Sequence, residues 1–186
     1  FYLEDVDGKE KREDVALLRR TRRRVVVSLE KELEAWLKNP SPQDAIRVIS
    51  GGPGSGKSSF ARIFAARHSQ DSELKVLYVP LHLIDASKDL IEAIGQFVNE
   101  EGILSQNPLS PESPEANLLI IFDGLDELAL QGKAAAETAR AFVREIDRTV
   151  EKRNLQGVKL RILLSGRELV VQENESEFRH KRQILS

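Results

Sequence analysis

Cysteine is absent from the 186 residues, which excludes disulfides, thiol nucleophiles and Cys-ligated zinc. Histidine is scarce, and His68, His82 and His180 stand too far apart to suggest a metal-binding pair. No apolar run approaches the roughly 20 residues that cross a bilayer, and the opening FYLEDVDGKE has no apolar signal-peptide stretch. The chain therefore reads as soluble and cytoplasmic, with no membrane partner. Neither sign of charge is in excess: 28 Lys plus Arg face 30 Asp plus Glu, for a net charge of −2. That balance argues against a surface built throughout for nucleic acid or anionic lipid, though it leaves room for a local basic patch. Methionine is also missing and the first residue is Phe1, from which we read a piece of a longer protein. What remains, with 40% hydrophobic and 31% charged residues, is the composition of a folded globular chain of about one domain.

Along the chain, FYLEDV reads as an extended lead-in. From about Lys9 to Lys38, Val15, Leu18, Val25, Leu29, Leu33 and Trp36 recur at helical steps, predicting one amphipathic helix that Asn39-Pro40 ends. Residues 1–44 are thus expected to form a lead-in and helix packed on a core that begins at Ala45. Ala45–Ser50 (AIRVIS) is a short apolar strand, and a helix follows from Lys57 to about His68. Leu74–Leu83 is strand-like. Ser87 is placed to cap a helix with Leu90, Ile91, Ile94, Phe97 and Val98 inward and Gly102 at its end. Three prolines between Ser105 and Ala116 mark a loop. Leu118–Phe122 (LLIIF) is apolar throughout, as in a parallel strand covered on both faces. A helix over Ala134–Arg153 and a strand over Val158–Ser165 follow, with a fifth strand at Arg182–Ser186. Strands alternating with helices predict an α/β three-layer sandwich on a mainly parallel five-stranded sheet.

Gly51 to Ser58 fits the phosphate-loop pattern G-x-x-x-x-G-K-[ST], between a strand and a helix. The residue types follow from the chemistry. Gly54 and Gly56 let backbone amides converge on phosphate oxygens at a helix N-terminus. Lys57 suits the β- and γ-phosphates, and the Ser58 hydroxyl suits Mg²⁺. The candidate nucleotide-binding set is Gly51, Gly52, Pro53, Gly54, Ser55, Gly56, Lys57, Ser58 and Ser59. In LLIIFDGLDEL, Asp123 leaves a buried strand where a second carboxylate is needed in the metal shell, giving Ser58 and Asp123 as the metal pair. Asp126 and Glu127 are placed to orient or deprotonate an attacking water, although acids also gather at helix starts for purely structural reasons. Arg167, just beyond the strand in LRILLSGRE, suits a γ-phosphate sensor, the plainer alternative being an ordinary surface arginine. No N-K-x-D string for guanine occurs, so the expected ligands are ATP or ADP with Mg²⁺.

GGPGSGKSS together with LLIIFDGLDEL resembles the NACHT group of signal-transduction ATPases with numerous domains, the STAND class. Asp123, Gly124, Leu125, Asp126 and Glu127 match the group's acid string position by position. YVPLHL is similar to its second core strand and LLSGRE to its sensor segment, with Arg167 as the sensor arginine. The resemblance covers about Ala45 to Ser186. It implies a switch that rests with ADP bound, opens and oligomerises with itself when a sensor domain finds its ligand, and serves signalling or antiviral defence. It also implies sensor, effector and lid regions that this chain does not contain, and slow hydrolysis without them.

Arg19, Arg20, Arg22, Arg23 and Arg24 form the one strongly basic run. It reads most simply as a solvated helix face balanced by Glu30, Glu32 and Glu34; nucleic acid is the weaker alternative, since few aromatics lie nearby to stack on bases. Two other readings of the whole chain are a remodelling ATPase of the AAA+ kind and a P-loop kinase. The spacing of the acids after Asp123 disfavours the former. The lack of an arginine-bearing lid between the later strands disfavours the latter.

Overall fold

The computed structural model describes residues 2–4, 24–41, 44–113, 115–129, 133–167 and 184–185. Its strands are β1 (Tyr2–Glu4), β2 (Arg24–Val26), β3 (Ile46–Ser50), β4 (Lys75–Pro80), β5 (Asn117–Asp123), β6 (Lys159–Gly166) and β7 (Ile184–Leu185). They form one sheet in the order β2-β1-β7-β3-β6-β5-β4. The strands from β7 to β4 are mutually parallel, giving the five expected, and β1 and β2 add an antiparallel edge beyond them.

The helices are α1 (Leu29–Lys38), α2 (Lys57–His68), α3 (Leu90–Glu101), α4 (Leu125–Ala129) and α5 (Lys133–Leu155), with a 3₁₀ turn at Leu81–Leu83. Alternation along the strands divides the core in two. One face of the sheet (Val48, Leu77, Val79, Ile120, Phe122, Ile162) packs under α3 and α5. The other (Ile49, Leu119, Ile121, Leu163) packs under α1 and α2 through Leu33, Trp36, Ala61 and Phe64. These three layers make the α/β sandwich expected of the sequence. No helix among the described residues is long and apolar enough to cross a membrane.

The single helix expected over Lys9–Lys38 is corrected. Arg24–Val26 is a strand, its β-branched Val25 and Val26 opposite Leu3 and Tyr2. Helix begins only at Leu29, after the extended Ser28. The rest of that expectation, with Arg19, Arg20, Arg22 and Arg23, lies outside the described residues. The helix does end at Asn39, whose N–H and side-chain amide both donate to the Ala35 carbonyl. The Leu74–Leu83 strand stops at Pro80, which has no N–H to continue a ladder. The cap of α3 is Asp89 rather than Ser87, because its Oδ1 accepts from Ile91 N at 2.9 Å and Glu92 N at 3.3 Å. Ser87 instead donates to Asp85 at 2.6 Å. Gly102 closes the helix in the left-handed conformation, as expected.

Candidate functional site

The carboxyl ends of the parallel strands are where α/β sheets bind ligands, because crossover loops leave a crevice there. All the motif residues described lie at that end. Gly51 follows β3 directly, Asp123 is the last residue of β5, and Arg167 is the first residue after β6.

The loop is built for close backbone approach. Gly54 and Gly56 sit at φ +72° and +85°, so the chain turns tightly into α2, whose N-terminus opens at Lys57. The Lys57 ammonium lies back over the loop, donating to Gly51 O at 2.9 Å, Gly52 O at 3.0 Å and Ser55 Oγ at 3.3 Å. Backbone N–H groups that open a helix behind a glycine-rich turn, with an ammonium beside them, make a concavity of the kind that suits anions. Most of the loop, from Gly52 to Gly56, is exposed, with Gly51 and Lys57 half-buried.

Strand parity brings the carboxylate to the loop. Asp123 shares the α2-side face of β5 with Leu119 and Ile121, and is itself only 6% exposed. Ser58, one residue into α2, donates to Asp123 Oδ1 at 3.2 Å. These two hard oxygen donors suit a divalent cation that completes its shell with phosphate and water. Among the described residues no cluster of three or more His, Asp or Glu would hold a metal without such a ligand.

Two residues that the motif reading left without a role share this carboxylate. Ser165, on the same face of β6, donates to Asp123 Oδ1 and accepts from Gly124 N at 3.2 Å. Tyr78, on the same face of β4, donates to Asp123 Oδ2 at 2.7 Å and accepts from Arg62 Nε at 3.1 Å. Burial, and secondarily the bond to Asp123, pushes the Tyr78 phenol above its ordinary pKa. The available signal was a lone hydroxyl on the parity of Val76 and Ile121; without the strand register it pointed nowhere.

The acids after Asp123 separate. Gly124 at φ +94° turns the chain into α4, so that Leu125 and Asp126 go inward while Glu127 faces solvent. Asp126 Oδ2 pairs with Arg167 Nε at 2.8 Å. Glu127 Oε2 pairs with His82 Nδ1 at 3.0 Å. Thus Arg167, expected at a γ-phosphate, rests on a candidate catalytic acid. His82, just past the end of β4, is a neighbour of the site that the sequence did not single out. A separate cavity of about 660 Å³ opens at the opposite ends of the strands, beside Lys75, Asn117 and Lys159, and no motif residue lines it.

Among curated proteins none matches this sequence. Among solved structures, Cdc6p from Pyrobaculum aerophilum is similar over 84% of this chain and 42% of its own, at 14% identity and a TM-score of 0.50, a likeness of fold. Domain III of the replication initiation protein DnaA from Thermotoga maritima aligns over 86% of this chain and 63% of its own, at 16% identity and a TM-score of 0.46. A chain of the E. coli MS115-1 HORMA:CdnC:Trip13 complex aligns over 83% and 56%, at 19% and 0.42. This chain thus spans less than two thirds of each. The family model described as NACHT domain matches residues 45–185. That match takes in every motif residue from Gly51 to Arg167, and the chain belongs to the NACHT domain family.

Proposed function

We propose that this chain is the ATP-binding and hydrolysing switch module of a cytoplasmic NACHT signalling or defence protein of the STAND class, in which nucleotide state controls self-association. The observation that carries the reading is the bond from Ser58 Oγ to Asp123 Oδ1, 3.2 Å across 65 positions of sequence. It sets the loop that suits phosphates beside the carboxylate that suits their metal. Residues 45–186 are the nucleotide-binding core, and residues 1–44 an accessory segment. Its helix α1 packs on the core through Leu29, Leu33 and Trp36. Sensor and effector regions belong to other parts of the protein.

In this reading the loop from Gly51 to Ser59, through the backbone N–H groups of its residues other than Pro53, and the Lys57 ammonium bind the phosphates, while Ser58 and Asp123 hold Mg²⁺. The ion, when bound, neutralises charge building on the phosphate oxygens. Lys57 exchanges loop carbonyls for phosphate oxygens, a stronger partner for an ammonium. Asp126 or Glu127 orients the attacking water. Arg167 moves from Asp126 to the γ-phosphate, so that the charge it neutralises at rest is uncovered when a triphosphate arrives. Adenine is the preferred base, since no guanine-reading string is present.

Calorimetric titration of the chain with ADP, ATP and GTP in the presence of Mg²⁺, with phosphate release assayed on the same sample, tests this. Tight adenine-nucleotide binding with slow turnover, lost in Lys57→Ala, is the expected result. Normal ATP binding by Lys57→Ala refutes the assignment of the loop. Rapid turnover that rises with protein concentration refutes the switch in favour of a ring-forming remodelling ATPase.

A further inference from the structure

We infer that Tyr78 is a positioning residue for the metal-side carboxylate: its hydroxyl clamps one oxygen of Asp123 and leaves the other to face the phosphate loop. This rests on reading Asp123 as a metal ligand.

The two oxygens of Asp123 are treated differently by their surroundings. Oδ1 is shared by Ser58 and Ser165, and Oδ2 takes Tyr78 at 2.7 Å. Ser58 sits on α2 beside the phosphate loop, whereas Tyr78 reaches across from the neighbouring strand β4, where Pro80 is the register partner of Asp123. A carboxylate held by hydroxyls on both oxygens has lost its free rotation about the Cβ–Cγ bond. When Ser58 turns to a metal, the Ser165 and Tyr78 contacts remain among the described residues to fix the plane, and Tyr78 is the one on the far oxygen. Donors behind a metal ligand orient it in this way, and their loss weakens metal binding about 10- to 100-fold in general.

The phenol is itself braced. Arg62, one turn into α2, donates to it from Nε at 3.1 Å, and its guanidinium carbon lies 5.9 Å from the ring centroid. Because an N–H fills an acceptor site on the hydroxyl, the O–H is directed at the carboxylate and does not turn away. The ring packs with Val76 and Phe60 against the α2-side core. Phenylalanine would keep that packing and remove only the hydroxyl.

The test is calorimetric ADP binding by the whole chain, with and without Mg²⁺, in wild type, Tyr78→Phe and Asp123→Asn, with a metal-free melt on each. Tyr78→Phe is expected to melt within a few degrees of wild type and to bind ADP equally in EDTA. Its gain in affinity on adding Mg²⁺ should shrink about tenfold. A merely structural role would change the melt or the EDTA affinity and leave the gain alone. A full Mg²⁺ gain in Tyr78→Phe, with the gain lost in Asp123→Asn, overturns the inference while leaving the metal site standing. A full gain in Asp123→Asn removes the assignment on which the inference depends, and the inference with it.

Discussion

Gly124 is the hinge on which the acids of the site turn, and replacing it with alanine measures how much that turn depends on glycine. Its φ of +94° is a conformation that costs an L-residue about 1–2 kcal/mol. An added Cβ would also stand 2.9 Å from Glu127 Cδ and 3.0 Å from its Oε1, inside normal contact. Glu127 is exposed and swings aside cheaply, but doing so breaks its pair with His82, an exposed contact worth about 1 kcal/mol or less. Gly124→Ala should therefore cost about 2 kcal/mol. In a chain of this size that lowers the melting temperature by about 4–8 °C. Gly52→Ala is the control, since an added Cβ there meets nothing within 4 Å and its φ lies outside the left-handed region. That change should be neutral or stabilising by up to about 1 kcal/mol. Differential scanning calorimetry of the three proteins decides it. A Gly124→Ala protein that melts at or above wild type, or that shifts no differently from Gly52→Ala, refutes the reasoning.

Tyr78 should titrate above the ordinary phenol range in an ultraviolet absorbance titration made on a Tyr2→Phe background, which leaves one phenol. Its neutral form is favoured in the fold, so the stability it contributes is complete below the ordinary phenol pKa and is lost as pH rises through the folded value; a Tyr78 that titrates with free tyrosine contradicts this. Leu33→Ala empties a fully buried position between α1 and the sheet, and should cost about 2–5 kcal/mol in a denaturant melt. A loss under 1 kcal/mol would mean that α1 does not share the core of the sandwich. Asp89→Ala removes the cap of α3 and should cost about 1 kcal/mol, whereas Ser87→Ala should stay within about 0.5 kcal/mol of wild type. Equal losses from the two would refute the assignment of the cap.

The legible parts of this fold are those where one local rule acts alone. The run Leu118–Phe122 is apolar at every position because both faces of β5 are covered, so it reads as a buried strand from its letters. Lys57 opens α2 where expected, since Gly56 must take a left-handed φ before it. Where two rules compete, reading from sequence goes astray. Val25 falls at a helical step from Leu18 and Leu29, yet it lies in a β-branched run that pairs with the strand at Tyr2–Glu4. The partner needed to decide between helix and strand lies more than twenty positions away. Ser87 and Asp89 are both good caps by type, and only geometry shows which oxygen reaches two N–H groups.

The site divides along the same line. The strings Gly51–Ser58 and Asp123–Glu127 are readable because each is contiguous with fixed spacing. Their supports are not, because these depend on the order of strands. The sheet inserts β6 between β3, which carries the loop, and β5, which carries Asp123. Any hydroxyl on the α2-side face at the end of β6 is thereby forced against that aspartate, and Ser165 is the residue there. The same insertion puts Arg167 within reach of Asp126 at 2.8 Å, and β4 on the outer flank brings Tyr78 and His82 to Asp123 and Glu127. The carboxylate that ends β5 and the two that follow it are therefore all engaged by groups on, or just past, the strands on either side. The contacts from Ser58 to Asp123 and from Arg167 to Asp126 fall three residues apart on one turn of chain around Gly124.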